Sequence, residues 1–148
     1  MSFFVRFGTC MLLTLSFGCG EVPLEPSAIT GVWALETVEG QPVPALAVDQ
    51  PFESVLFISD TLDLATDGTF GGRRCELHVN HESQLESTVC IPYSGSYTLR
   101  VRTLELWYAC PLSTSCYGAT SRTGTIRDER LVLSGPADAP ALGYARVE

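Results

Sequence analysis

The fold is indicated first by the stretch Leu62-Asp63-Leu64-Ala65-Thr66-Asp67-Gly68-Thr69-Phe70. Apolar and polar residues alternate on both sides of Asp67-Gly68, as they do in strands that bury one face. An Asp-Gly pair accepts the positive φ angles of a two-residue hairpin turn. This stretch therefore predicts two antiparallel strands joined by a tight turn.

The same alternation recurs outward from this hairpin in both directions, and no long stretch repeats apolar residues at helical spacing. Turn residues separate the alternating segments at short intervals. We predict about eight short strands from the segments at residues 31–38, 55–58 with its continuation at 62–64, 69–70, 75–79, 93–99, 103–109, 122–126, 130–133 and 142–147. Short strands spaced in this way are typical of an all-β antiparallel sandwich or barrel.

Composition excludes several classes of function. The chain has 148 residues, which suits one domain, and 45% of them are apolar, which argues against disorder. The formal net charge is −8, and the nine basic residues are all arginines that occur singly or in pairs. Binding to nucleic acid needs clustered cations, so no nucleic-acid partner is expected.

The N-terminal segment predicts export. Residues 1–6 carry one positive charge, and residues 7–17 form an apolar run of eleven residues. Spanning a bilayer takes about 20 residues, so the run is too short for a transmembrane helix. Residues 1–18 are therefore interpreted as a signal peptide.

The end of that segment, Ser16-Phe17-Gly18-Cys19, is similar to a bacterial lipobox, in which the cysteine is acylated and becomes the N-terminus. Ser16 and Phe17 depart from the usual leucine and small residue, and Ser16-x-Gly18 also suits ordinary signal peptidase. We expect lipidation at Cys19, with residues 19–28 as anchor and tether. The membrane is then a partner through this anchor, on the periplasmic side of the outer membrane. Without lipidation the protein would be periplasmic or secreted.

The cysteines support export as well. Once the signal peptide is removed, Cys19 stands at the new N-terminus and four cysteines remain in the domain: Cys75, Cys90, Cys110 and Cys116. Four cysteines in an exported domain predict two disulfides. Of the three connectivities we favour 75–90 and 110–116, in which the first bridge closes a polar stretch at residues 78–88.

Catalytic and metal sites are not expected. Cys75, His78, His81 and Glu82 lie close in sequence, but residues 78 and 81 of a strand point to opposite faces. The chain has two histidines and no Gly-x-Ser-x-Gly motif, so nucleophilic catalysis is not predicted. No pattern indicates a cofactor.

Five segments in order resemble a bacterial lipocalin-like domain. They are a Gly-x-Trp strand with a Gly-x-Pro-x-Pro turn at residues 29–44, the strand-DGT-strand hairpin at 62–70, an SG-x-Y-T strand at 94–98, and a closing hairpin from 124–126 and 131–133. META-type domains share the opening motif and remain an alternative.

The resemblance implies that residues 29–148 form an up-and-down antiparallel β-barrel of about eight strands. It also implies that an arginine near the last strand packs across the tryptophan of the Gly-x-Trp motif and closes one barrel end. Arg146 and Trp33 are the matching residues here, and a guanidinium over an indole would be a cation–π contact.

We therefore expect a non-enzymatic envelope protein that binds a small apolar ligand inside its barrel. The alternative is a protein-interaction or inhibitor-type barrel that acts through disulfide-bonded loops at residues 81–89 and 111–115. A purely structural envelope protein is a third hypothesis.

Overall fold

The computed structural model describes residues 23–109, 121–136 and 139–147. These residues form one short helix and ten strands: α1 (Pro26–Ile29), β1 (Gly31–Val38), β2 (Gln41–Pro42), β3 (Ala45–Asp49), β4 (Glu53–Leu64), β5 (Thr69–Asn80), β6 (Glu86–Arg100), β7 (Thr103–Tyr108), β8 (Ser121–Arg127), β9 (Arg130–Ser134) and β10 (Leu142–Arg146).

Eight of these strands close into an antiparallel barrel. Strands β4 to β10 follow one another in an up-and-down order, and β1 pairs with both β10 and β4. The prediction of an up-and-down barrel of about eight strands is confirmed. Two further strands lie outside the ring, since β2 pairs with β1 and β3 pairs with β4.

A hairpin forms at Asp67-Gly68 as predicted, between β4 and β5, but its loop spans residues 65–68 instead of two residues, and Asp67 does not share the positive φ of Gly68. Gly68 has a φ of +83°, a region that favours glycine. The Asp67 carboxylate accepts hydrogen bonds from the backbone amide and the hydroxyl of Thr69, at 2.9 and 2.6 Å. These two hydrogen bonds lower the pKa of Asp67.

Alternate residues of the strands point inward and fill the barrel. Leu62, Leu104, Leu106, Leu131 and Leu133 are fully buried, and other apolar side chains pack against them. Removing this apolar surface from water is the main force that stabilises the barrel.

One end of the barrel is closed by the residues that precede β1. Helix α1 lies there, and the backbone amide of Leu24 donates a hydrogen bond to the carbonyl of Val101 in the turn between β6 and β7. The buried Trp33 indole donates a hydrogen bond to the Ile29 carbonyl at 2.9 Å. Residues 24–29 are thus attached to this closed end.

At the opposite end, β4, β5 and β6 extend past the closed ring. Strand β1 pairs with β4 only through residues 61–64, and β7 pairs with β6 through residues 95–100. Beyond these points, β3 to β6 continue as a four-stranded sheet. We call this sheet, residues 45–59 and 75–94, the flap.

The flap corrects one expectation. Residues 81–89 are predicted as a loop, but residues 86–89 belong to β6, and only residues 81–85 form the turn. Residues 81–89 are exposed on both faces, because they lie beyond the closed barrel, so the usual alternation of a half-buried strand is weak there.

Candidate functional site

A buried charged network lies inside the barrel, just below the flap. Asp60 on β4 and Arg74 on β5 are register partners, and the Asp60 carboxylate is fully buried. Oδ2 of Asp60 accepts hydrogen bonds from Nε and Nη2 of Arg74, at 2.9 and 2.7 Å. The hydroxyl of Tyr144 donates to the same oxygen at 2.8 Å, and that of Tyr93 donates to Oδ1 at 2.6 Å.

Aromatic rings surround the Arg74 guanidinium. Its Cζ lies 4.5 Å from the ring centroid of Phe57 and 5.8 Å from that of Tyr93. Tyr93 also packs against Phe70 and Tyr108. A cation between aromatic faces is stabilised by their quadrupoles, so these rings hold the guanidinium in place.

The network keeps Arg74 charged and its two tyrosines protonated. Burial, the largest single effect, would lower the pKa of Arg74, but the charge of Asp60, its hydrogen bonds to Arg74 and the two tyrosines together outweigh burial and raise that pKa. Burial, followed by the negative charge of Asp60, raises the pKa of Tyr144, and burial also raises that of Tyr93. Both tyrosines therefore stay protonated and donate, and the carboxylate is satisfied by four donors. Such a network suits positioning and stability rather than proton transfer.

A second buried cation lies near this network. Arg122 on β8 is buried, and its Nη1 donates a hydrogen bond to the Pro140 carbonyl at 2.8 Å. Burial lowers its pKa, and the nearby positive charge of Arg74 adds to that effect. The barrel interior next to the flap is therefore polar, whereas the rest of the interior is filled with leucine side chains.

Three sets of contacts fix the flap. A disulfide joins Cys75 and Cys90, which face each other on β5 and β6 with their Cα atoms 4.0 Å apart. The predicted pairing of these cysteines is found, although the disulfide links two strands that already pair with each other instead of closing a loop. Nδ1 of His78 lies 2.9 Å from a carboxylate oxygen of Glu53, which ties β5 to β4.

The third set joins the two turns at the tip of the flap. The backbone amide of His81 donates a hydrogen bond to the Phe52 carbonyl at 2.9 Å, and Nδ1 of His81 lies 3.1 Å from the Pro51 carbonyl oxygen. Asn80 organises the following turn, because its side-chain oxygen accepts from the backbone amides of Glu82 and Ser83. The flap is thus held at its base, middle and tip.

His81 also contacts a serine, which is the pairing used in nucleophilic catalysis. Nε2 of His81 lies 2.7 Å from Oγ of Ser54, and that oxygen lies 2.7 Å from Oδ1 of Asp49. The group sits on the exposed tip of the flap, where water is not excluded and the contacts join two turns. We interpret it as a structural clamp.

Metal ligation is not favoured by this geometry. Cys75 is in a disulfide, and His78 and His81 have separate partners. Within the described ranges, no group of three His, Cys, Asp or Glu side chains is placed to hold a metal ion. No helix in the described part of the chain is long and apolar enough to cross a bilayer.

Trp33 and Arg146 are register partners on β1 and β10, at the closed end. The expected cation–π stacking is replaced by a different contact. The exposed Arg146 guanidinium donates to the carbonyls of Ala28 and Thr30, at 3.0 and 2.7 Å, and so holds α1 over the barrel. The cation–π contacts among the described residues are those of Arg74.

Several predicted sites lie outside the described residues: Cys19, Cys110, Cys116 and the loop at residues 111–115. The predicted interaction loop at 81–89 falls on the flap tip and the start of β6. Sequence reasoning missed Asp60 and Arg74. A signal was present, because Asp60 has the same parity as Leu62 and Leu64 and so faces the core.

Comparison of the chain with protein-family models, with curated proteins and with solved structures finds no match. The fold and the geometry of the flap are therefore the basis for a functional conclusion.

Proposed function

We propose that this chain is an exported, lipid-anchored, lipocalin-like envelope protein that binds a protein partner through its flap and performs no catalysis. One observation carries the proposal. The two most exposed large apolar side chains among the described residues, Leu85 at 70% and Phe52 at 65%, lie on the two turns that His81 joins. Exposed apolar side chains on a rigid support are typical of binding surfaces.

Rigidity supports this proposal in energetic terms. Ordering a mobile loop on binding costs about 0.5–1.5 kcal/mol per immobilised flexible side chain. The disulfide and the His78 and His81 contacts fix the flap before any partner arrives. A preorganised surface avoids part of that cost, so a small surface can bind tightly.

Charge indicates the chemistry of the partner. Four carboxylates lie on the flap beside the apolar side chains: Asp49, Glu53, Glu82 and Glu86. Together with the net charge of −8, they favour a partner with a basic surface that contains apolar residues. Electrostatic attraction would raise the association rate, and the apolar contacts would supply affinity.

The tether supports the proposed orientation. Leu24 is attached to the closed end and lies five positions after Cys19. A fully extended chain of that length spans at most about 18 Å. A lipid at Cys19 would therefore keep the closed end near the membrane and the flap away from it. Mass spectrometry of the mature N-terminus tests this, since an unmodified Cys19 would remove the anchor.

Carriage of a small apolar ligand remains a second candidate. The inner face of the flap continues the barrel interior and carries Val55, Val89 and Ile91, of which Ile91 pairs with Arg74 and the other two pair with His78 and Glu76. A ligand would have to lie against the inner face of the flap, because leucine side chains fill the rest of the barrel interior. Native mass spectrometry of the protein purified from its own cells tests this, and the absence of a co-purified small molecule would count against it.

Site-specific photo-crosslinking in cells tests the protein-binding proposal. A photoreactive amino acid replaces Phe52 or Leu85 on the flap and, as a control, Val132 on the barrel wall, which is 45% exposed. We expect positions 52 and 85 to crosslink to the same defined protein and position 132 not to. The proposal is wrong if no position crosslinks, or if all three crosslink alike.

A further inference from the structure

A cavity lies at the closed end of the barrel, away from the flap and the interior network. Its volume is about 180 Å³, which is below the range of roughly 300–1,000 Å³ that holds drug-sized ligands. Its walls are formed by Leu24, Ala28, Ile29, Trp33, Arg102, Ile126, Asp128, Glu129 and Arg146. A small polar group is the kind of ligand that such a volume suits.

The cavity is lined by two cations and two anions that do not pair with each other. Arg102, Arg146, Asp128 and Glu129 take part in none of the ion pairs formed among the described residues. The Nε atom of Arg102 is buried and has no hydrogen-bond partner in the described part of the chain. A buried unpaired donor of this kind costs free energy unless another group accepts from it.

We propose that this cavity binds the headgroup of a zwitterionic aminophospholipid, phosphoethanolamine. Arginine recognises phosphate oxygens through several N–H donors in one plane, so Arg102 contacts the phosphate, and Arg146 contacts it with the N–H groups that its hydrogen bonds to Ala28 and Thr30 leave over. The carboxylates of Asp128 and Glu129 accept hydrogen bonds from the ammonium group. The ligand thus satisfies both signs of charge, and it supplies an acceptor for Nε of Arg102.

The position of the cavity identifies the membrane as the source of the headgroup. Leu24 lines the cavity and lies five residues from Cys19, so the cavity is next to the proposed anchor. This part of the argument rests on the proposed anchoring, whereas the binding site itself does not.

The charges that line the cavity favour phosphoethanolamine over other lipid headgroups. A purely anionic headgroup would meet Asp128 and Glu129 as well as the net charge of −8. A choline headgroup has no N–H to donate to those carboxylates, and its three methyl groups take more room. Phosphoethanolamine offers both the phosphate and the N–H donors.

The two tryptophans allow a direct test on the full chain in detergent. Trp33 lines the cavity, whereas Trp107 is exposed on the outer wall of the barrel. The indole N–H signals of both are followed by NMR while glycerophosphoethanolamine is added. We expect a saturable shift of the Trp33 signal and none at Trp107. Glycerophosphocholine and glycerophosphoglycerol should bind at least about tenfold more weakly, because each lacks the ammonium N–H donors.

Matched variants complete the test. Arg102→Gln should weaken binding at least about tenfold, whereas Arg100→Gln, an exposed arginine at the same turn, should not change it. Asp128→Asn should also weaken binding. It keeps the turn, because asparagine tolerates the φ of +46° that Asp128 has.

Three results would overturn the inference. The first is the absence of a saturable Trp33 shift. The second is unchanged affinity in both Arg102→Gln and Asp128→Asn. The third is that glycine binds as tightly as glycerophosphoethanolamine or more tightly, which would indicate a free amino acid as the ligand. None of these results bears on the flap, whose partner is tested by crosslinking at the other end of the barrel.

Discussion

Asp60 and Arg74 face each other across β4 and β5, and the arginine donates two hydrogen bonds to a carboxylate that has no exposure to water. Tyr93 and Tyr144 complete the coordination of the carboxylate. This pair lies where the barrel ends and the flap begins, so it links the two parts of the molecule.

Replacing Asp60 should destabilise the protein strongly. Asp60→Asn leaves the Arg74 guanidinium buried without a counter-charge, and breaking a buried pair in this way costs about 3–5 kcal/mol. Urea unfolding measures the change. Asp63→Asn, on the exposed face of the same strand, should change the free energy of unfolding by less than about 0.5 kcal/mol. Equal effects of the two variants would refute a structural role for the network.

The tyrosines predict how stability depends on pH. Burial raises the pKa of Tyr93 and Tyr144 in the folded protein, whereas an unfolded chain has tyrosines near pKa 10. Above pH 10 the unfolded state loses protons that the folded state keeps, so stability should fall as pH rises. The slope is at most about 1.4 kcal/mol per pH unit for each tyrosine.

Denaturation at several pH values between 8 and about 11.5 measures this slope. Burial also raises the pKa of Tyr97 and Tyr108, so Tyr93→Phe removes one of four such groups, and its slope should be shallower than that of the parent, whatever its stability at neutral pH. Stability that stays constant above pH 10 would show that these hydroxyls are not buried.

Two adjacent glycines provide a matched test of packing. A Cβ on Gly72 would lie 2.3 Å from the Tyr93 ring and 2.4 Å from the Thr61 carbonyl oxygen, whereas one on Gly71 would approach no atom closer than 3.9 Å. Gly72→Ala should therefore destabilise the protein by about 1–3 kcal/mol. Gly71→Ala should be within about 0.5 kcal/mol of the parent in thermal unfolding. The reverse order would contradict the packing of Tyr93 over β5.

Removing the disulfide should loosen the flap more than the barrel. The bond closes a separation of 15 residues, which is worth about 3 kcal/mol on the chain-entropy model. In the Cys75→Ser, Cys90→Ser double variant, amide hydrogen exchange should rise in residues 75–80 and 86–90. Exchange in β9 and β10 serves as the internal control. A uniform rise throughout the barrel would argue against a separately fixed flap.

The barrel was predictable because its signals are local. Asp67-Gly68 specifies a turn within a few residues, and Leu62 and Leu64 show which face is buried. The flap was not predictable in the same way. Its strands have no core on either side at the tip, so residues 81–89 lack the alternation that marks a half-buried strand.

The interior network escaped sequence reasoning for a different reason. The pairing of Asp60 with Arg74 depends on the register of β4 and β5, and an irregularity between Phe57 and Ser59 shifts that register. Tyr144 is 84 residues from Asp60 in sequence, and it reaches the same carboxylate only because the strands close into a barrel. Such long-range contacts leave no pattern in a single sequence.

The claim that the flap is the binding surface is tested most directly by affinity. The protein captured by crosslinking is titrated against the purified chain and against a Phe52→Ser, Leu85→Ser double variant, with Val132→Ser as the control. We predict that the double variant binds at least about tenfold more weakly, because central apolar residues carry most of an interface's energy, and that Val132→Ser binds like the parent. Unchanged affinity of the double variant would contradict the account.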